Sequence, residues 1–258
     1  MTTTLNVESI GDGITVLTIN RPQARNALDL ATMRAFDEVV TTIKHDTSVR
    51  AVIITGEGEA AFCSGADLIE LSHYPSADDG RMMISLMGNT LLALERLPVP
   101  VIAAINGYAL GGGSELALAC DLRIADDKAR MGFVQAKMGL TPGWGAGQRL
   151  LRLVGYSRAM DLLLTCHVMR APELLAYGLV NRVVNSGTAL EHAINYARHV
   201  VTYAPDVIQG VKMLLQAGMN QSYEAALHIE RELFPSLWAA DAHEQAVQSF
   251  LKRDRGNS

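Results

Sequence analysis

The chain has 258 residues, 49% of them hydrophobic, 19% charged and 5% aromatic. At about 150 residues per domain this reads as one large domain, or one with an appendage, long enough to bury a core without disulfides or metals. Lys plus Arg number 22 against 27 Asp plus Glu, a net charge of −5, which lacks the basic footprint of a nucleic-acid binder. The charged fraction is below the roughly 25% usual for soluble domains, as expected if part of the surface is buried between subunits.

The opening MTTTLNVESIGDG has no basic segment ahead of an apolar run, so no signal peptide is expected. Ile14 to Ile19 alternates and stops at Asn20-Arg21-Pro22, a strand followed by a breaker. From Asn26 onward Leu30, Met33, Phe36, Val40 and Ile43 recur at helical spacing. Ala51 to Thr55 is a continuous apolar run closed by Gly56, the mark of a buried strand. A second helix is predicted from about Gly80 to Leu97, stopping at Pro98. Val101 to Ile105 reads as another buried strand, leading through Gly107 to Gly113 into a helix from Glu115. Strands alternating with helices predict an α/β domain.

After about Arg182 four helices are predicted, over 189–203, 205–218, 222–238 and 241–253. Leu214, Leu215, Leu227, Leu233, Phe234, Leu237 and Trp238 make this tail apolar, so it must pack on its own core or on a neighbouring subunit. The expected division is a core over 1–188 and a helical region over 189–258, with no linker and no internal repeat, within one compact unit. The most apolar stretch, Val99 to Cys120, is interrupted by Pro100, Asn106, several glycines and Glu115 and does not read as a membrane span. Cys63, Cys120 and Cys166 form no CxxC pair and the seven histidines no HExxH, so no metal site is expected. That cysteine usage fits reduced, buried thiols in a cytoplasm.

Two segments could carry chemistry. In Gly107-Tyr108-Ala109-Leu110-Gly111-Gly112-Gly113-Ser114-Glu115, a Gly-rich turn between strand and helix exposes backbone N–H groups. It lacks the Lys of a phosphate loop, a third glycine at Leu116 for a dinucleotide fingerprint, and the GxSxG of a hydrolase elbow. Alone it is a tight turn. Ala61-Phe62-Cys63-Ser64-Gly65-Ala66-Asp67-Leu68 is a second small-residue turn after a strand, with Asp67 suited to a first helical turn. Two such turns converging on one oxygen would form an oxyanion hole.

Residues 61–68 and Asn106 to Leu116 resemble the crotonase superfamily (enoyl-CoA hydratase/isomerase). Asn20-Arg21-Pro22 with Arg25-Asn26-Ala27-Leu28, Cys120-Asp121-Leu122-Arg123-Ile124-Ala125 and Tyr177-Gly178-Leu179-Val180-Asn181 are similar to its other signatures, so the resemblance spans nearly the whole chain. It implies a spiral of ββα units with a helical C-terminal region, assembled as a homotrimer or a dimer of trimers. It also implies an acyl-CoA thioester substrate, with coenzyme A arriving as part of that substrate and no separate cofactor. The backbone N–H groups of Ala66 and Gly112 match the oxyanion donors. Ala24, Arg25, Ser64, Ala66, Asp67 and Leu68 match the region that binds coenzyme A, where Arg25 meets a phosphate or is simply an exposed first-turn arginine.

Hydratases of this family use two glutamates. The first matches Glu115; aligning 129–132 and 141–143 puts Gln135 at the second. An amide neither gives nor takes a proton near neutral pH. Ala119, one turn past Glu115, offers no substitute, and Asp161 and Glu173 fall on later, surface helices. Phe133-Val134, Met138-Gly139 and Pro142-Gly143-Trp144-Gly145 resemble the ethylmalonyl-CoA decarboxylase branch, as do Asp79-Gly80, Asn89-Thr90-Leu91, Arg96-Leu97-Pro98 and Glu230-Arg231-Glu232-Leu233. The resemblance then implies decarboxylation of an ethylmalonyl- or methylmalonyl-type thioester, with Glu115 as proton donor or orienter of a water, and Gln135 on the departing carboxylate. Trp144 shapes an acyl pocket or packs in the core. The rivals are a hydratase or isomerase working through Glu115 alone, and a non-catalytic coenzyme A-binding or RNA-associated member, the latter disfavoured by the acidic balance. His73, Tyr74 and Tyr108 are assigned core or surface roles.

Overall fold

The structure is a computed structural model and describes residues 3–255. The chain divides into two units, one running to His199 and one starting at Val200. The first begins with an antiparallel hairpin of β1 (Leu5–Ser9) and β2 (Ile14–Ile19). Helix α1 (Leu30–His45) starts later than its periodicity suggests. Arg25 and Asn26 stand at φ 51 and 55, in the left-handed region that a right-handed helix cannot include. The helix waits for Asp29, whose carboxylate accepts the Thr32 N–H at 2.8 Å as N-cap. Leu30, Met33, Phe36, Val40 and Ile43 are all buried, as their spacing predicts.

Three steps of strand, strand, helix follow. They are β3 (Ala51–Gly56), β4 (Ala61–Cys63), α2 (Leu68–Leu71) and α3 (Ala77–Glu95); then β5 (Val101–Ile105), β6 (Tyr108–Leu110) and α4 (Gly112–Ala119); then β7 (Leu122–Asp126), β8 (Arg130–Gly132), α5 (Ala146–Val154) and α6 (Tyr156–Thr165). Next come β9 (Val168–Arg170), α7 (Ala171–Ala176), β10 (Arg182–Val184) and α8 (Ala189–Val200). The first strand of each step joins a six-stranded sheet ordered β1-β2-β3-β5-β7-β10, and the second a four-stranded sheet ordered β4-β6-β8-β9. Within the steps every pairing is parallel, β3 to β5 to β7 and β4 to β6 to β8. This is the expected ββα spiral. It is also a structural repeat that the residues do not announce, because the steps share an order of elements and no matching sequence.

Every residue of β3 and β5 is buried, which suits strands covered on both faces. Helix α4 starts at Gly112, earlier than predicted, so the glycines belong to the helix and Glu115 to its first turn. All of helix α8 except its last residue, Val200, lies in the first unit. Asp126, fully buried, accepts the N–H groups of Gly187, Thr188 and Ala189 at 2.9–3.1 Å and so caps that helix from β7.

The second unit holds α9 (Pro205–Asn220), α10 (Tyr223–Trp238) and α11 (Asp241–Arg255). Helices α9 and α10 approach closely at Gly210, where an added Cβ would lie 3.4 Å from Leu237. Leu215, Phe234 and Trp238, which are expected to be covered, are each at least 60% exposed on this chain. Among the described residues no helix is long and apolar enough to cross a membrane.

Candidate active site

The two small-residue turns meet backbone to backbone. Gly65 stands at φ +101, and a Cβ there would lie 3.0 Å from the Gly112 nitrogen. A Cβ on Gly113 would run into the Cys63 carbonyl, and one on Gly112 into the Trp144 ring. These positions need glycine because the neighbouring backbone and indole occupy the space. Leu28 donates its N–H to Gly65 at 2.8 Å and accepts that of Asp67 at 2.9 Å, bracketing Ala66 in a parallel bridge. The intervening Ala66 N–H is left without an acceptor among the described residues. So is that of Gly112, the first residue of α4, where a helix offers no internal partner. Both residues line one cavity of about 650 Å³.

Glu115 lies in the same cavity, 2% exposed, and is the only ionisable side chain among the described residues that line it. Its Oε1 accepts Gln135 Nε2–H at 2.9 Å and the Gly143 N–H at 3.3 Å; its Oε2 accepts the N–H groups of Trp144 at 2.7 Å and Ala146 at 2.9 Å. Two carboxylate oxygens offer about four acceptor directions. Here all four are taken by N–H donors.

Gln135 opens a 3-10 turn after β8. Since its Nε2 donates to Glu115, its Oε1 points elsewhere, and reversing the amide would set acceptor against acceptor. That Oε1 is buried without a hydrogen-bond partner. A buried carbonyl of this kind is costly unless a donor from water or ligand meets it.

Of the remaining predicted positions, Ser64, Leu68 and Trp144 line the cavity and Ala24, Arg25 and Asp67 do not. Ser64 donates its N–H to Arg25 O at 3.1 Å and its hydroxyl to Ala24 O at 3.4 Å, so those two stand directly behind it. Trp144 fills both roles weighed for it: it belongs to the buried core and also walls the cavity, its indole N–H meeting Met83 Sδ at 3.2 Å. Gly80, Met83 and Ile84 of α3 complete the wall; the motifs touched only the first of them. Asp161 and Glu173 are exposed on α6 and α7, and His73, Tyr74 and Tyr108 on the surface, as expected. Cys63 is fully buried and burial pushes its thiol up to about 12, only partly offset by the Gly65 N–H, so it supplies no nucleophile.

Asp67 caps α2 by accepting the N–H groups of Ile69 and Glu70, and it pairs with Arg21 at 2.9 Å. Arg21 Nη2 also reaches Asp29 at 3.1 Å, tying the caps of α1 and α2 together beside Ala66. Burial works to raise the Asp67 pKa, but the Arg21 bond and the two backbone N–H groups outweigh it and hold the carboxyl below the usual carboxylate range. A folded-state value below the unfolded one contributes stability that is present above about pH 4 and lost as pH falls through the lower value. Arg21→Met is therefore expected to lower the unfolding midpoint at pH 7, with the gap to the parent narrowing as pH falls below the usual carboxylate range. Arg21 Nη1 also donates to the Ala27 carbonyl at 2.5 Å, a bond that acid leaves intact, so a gap that does not narrow in acid would show that Arg21 acts through that bond and packing and not through the ion pair.

A buried carboxylate and two backbone N–H groups without acceptors among the described residues thus line one apolar cavity on a ββα spiral, the architecture of an acyl-CoA enzyme family. Residues 9–257 match the enoyl-CoA hydratase/isomerase family, and the chain belongs to it, within the crotonase superfamily. A short-chain-enoyl-CoA hydratase of Clostridium acetobutylicum is 40% identical over 93% of this chain and 92% of its own. An ethylmalonyl-CoA decarboxylase of Xenopus laevis is 35% identical over 93% of this chain and 81% of its own. The crystal structure of an enoyl-CoA hydratase from Bacillus anthracis superposes with a TM-score of 0.93, at 34% identity and covering 97% of both chains.

Proposed function

We propose that this enzyme decarboxylates an alkylmalonyl-CoA thioester of the ethylmalonyl or methylmalonyl type. The observation that carries the reading is the saturation of Glu115. Hydration must take a proton from water and give one to carbon, and isomerisation must move a proton between carbons. Here the one ionisable side chain among the described residues that line the cavity accepts four N–H bonds, and its neighbour is an amide. Decarboxylation needs no base. The bond between the α-carbon and the carboxylate breaks, CO2 leaves, and the electron pair becomes an enolate whose charge rests on the thioester oxygen. In this reading the N–H groups of Ala66 and Gly112, which have no acceptor among the described residues, receive that oxygen, and such a donor is worth about 10²–10³ in rate.

The walls act in the same direction. Leu68, Met83, Ile84, Val134, Leu140 and Trp144 form an apolar lining in which a carboxylate is poorly solvated and CO2 is not penalised. Glu115 holds the Gln135 amide and the turn at Gly143 to Ala146 in place beside the cavity, and a water in the cavity returns a proton to the α-carbon, its hydroxide leaving with the CO2 as bicarbonate. Assembly as a homotrimer or pair of trimers is part of this proposal and would cover the exposed Phe234 and Trp238.

Hydration or isomerisation through Glu115 is the second reading. It is favoured by the 40% identity to the Clostridium hydratase. Turnover of ethylmalonyl-CoA, methylmalonyl-CoA and crotonyl-CoA, measured side by side, separates the two. CO2 release with crotonyl-CoA near background is the expected result. Fast crotonyl-CoA hydration with inert malonyl thioesters would overturn it and show that one glutamate suffices.

A further inference from the structure

Three of the four N–H donors on Glu115 come from Gly143, Trp144 and Ala146, the turn that enters α5. Gly145 in that turn stands at φ 104, open to glycine and strained for other residues. Something must hold so short a turn in place. Arg149, in the next turn of α5, donates Nη1–H to Trp144 O at 2.8 Å and Nε–H to Glu95 Oε2 at 2.7 Å. A side chain on Gly145 would fall on that same Nη1. The Arg149 side chain is 10% exposed and that of Glu95 27%, so the pair is well shielded. Glu95 ends α3, and Met83 near the start of the same helix accepts the Trp144 indole N–H. Helix α3 therefore grips Trp144 at two points, through its backbone carbonyl and through its indole.

We propose that Arg149 and Glu95 are positioning residues for Glu115. Neither lines the cavity. Their fork-and-carboxylate link fixes the turn whose N–H groups fix the carboxylate. A guanidinium can serve two acceptors lying in different directions; the compact ammonium of lysine is a poor substitute. The inference rests on Glu115 serving the reaction, as proposed above.

The test compares the parent with R149M, R149K, E95Q and E115Q on the thioester turned over fastest. R149M is expected to lose about 10²-fold in kcat, the scale of an ångström-sized misplacement, with KM within about threefold. R149K should recover little of that loss. Methylguanidine added to R149A should restore turnover while Glu95 is intact, and fail to do so in R149A/E95A. A W238F background leaves Trp144 as the sole tryptophan of the two in the chain, and R149M should shift its emission. An R149M enzyme with kcat within twofold of the parent, or with unchanged Trp144 emission, overturns the proposal. If E115Q is also fully active, the failure lies in the role given to Glu115; if E115Q is inactive while R149M is not, it lies in the clamp.

Discussion

Glu115→Gln is expected to lower kcat by about 10²-fold, the scale of a small misplacement of the groups that surround the reacting carbon. The side chains are nearly isosteric, so the core should not collapse. What changes is the sign of one end. A glutamine NH2 would face either the Trp144 and Ala146 N–H groups or those of Gln135 and Gly143, setting donor against donor where the parent has two accepted bonds. The amide that best keeps the backbone pair would turn its NH2 toward Gln135 and release that side chain. The enzyme would then lose both the carboxylate and the fixed orientation of Gln135 Oε1. Steady-state kinetics with a thermal melt check this. Full turnover by E115Q would remove Glu115 from the mechanism.

Gln135→Glu is expected to raise crotonyl-CoA hydration by about 10²-fold or more while decarboxylation falls. The substituted carboxyl would stand within hydrogen-bond reach of Glu115, where Gln135 Nε2 now lies at 2.9 Å. Two carboxylates so close cannot both ionise readily and share a proton. The cavity would gain a proton that it can give to carbon and an acceptor that can take one from water. The same pair would repel a malonyl carboxylate. Rates on crotonyl-CoA and ethylmalonyl-CoA, measured across pH, read both effects. No gain in hydration would show that the amide is not what limits it.

The family and much of the fold were legible in the residues. Alternation in Ile14–Ile19 and the apolar runs at Ala51 and Val101 mark strands that the structure contains, and the spacing from Leu30 to Ile43 marks the buried face of α1. Ala66, Gly112, Glu115 and Gln135, singled out from motifs, line one cavity. Strands β4, β6, β8, β9 and β10 went unread, because three residues are too few to show a period. The start of α1 was misplaced because a periodic pattern does not reveal that Asn26 is left-handed. Buried Asn26 is held there by bonds to the Arg21 N–H and to the carbonyls of Glu57 and Ala61.

By itself, then, the sequence determined the class of enzyme and the chemical groups at its disposal, since side-chain identity and local spacing are properties of the chain alone. The tertiary structure decided what those groups are free to do. Glu115 and Gln135 are twenty residues apart, and Glu95 and Arg149 fifty-four. Which N–H groups saturate the carboxylate, which way the amide faces and what braces the turn at Trp144 depend on where the spiral brings the chain back. Hydrogen bonds are directional and short-ranged. A one-dimensional pattern carries the donors and acceptors, and only the packed fold assigns them to one another.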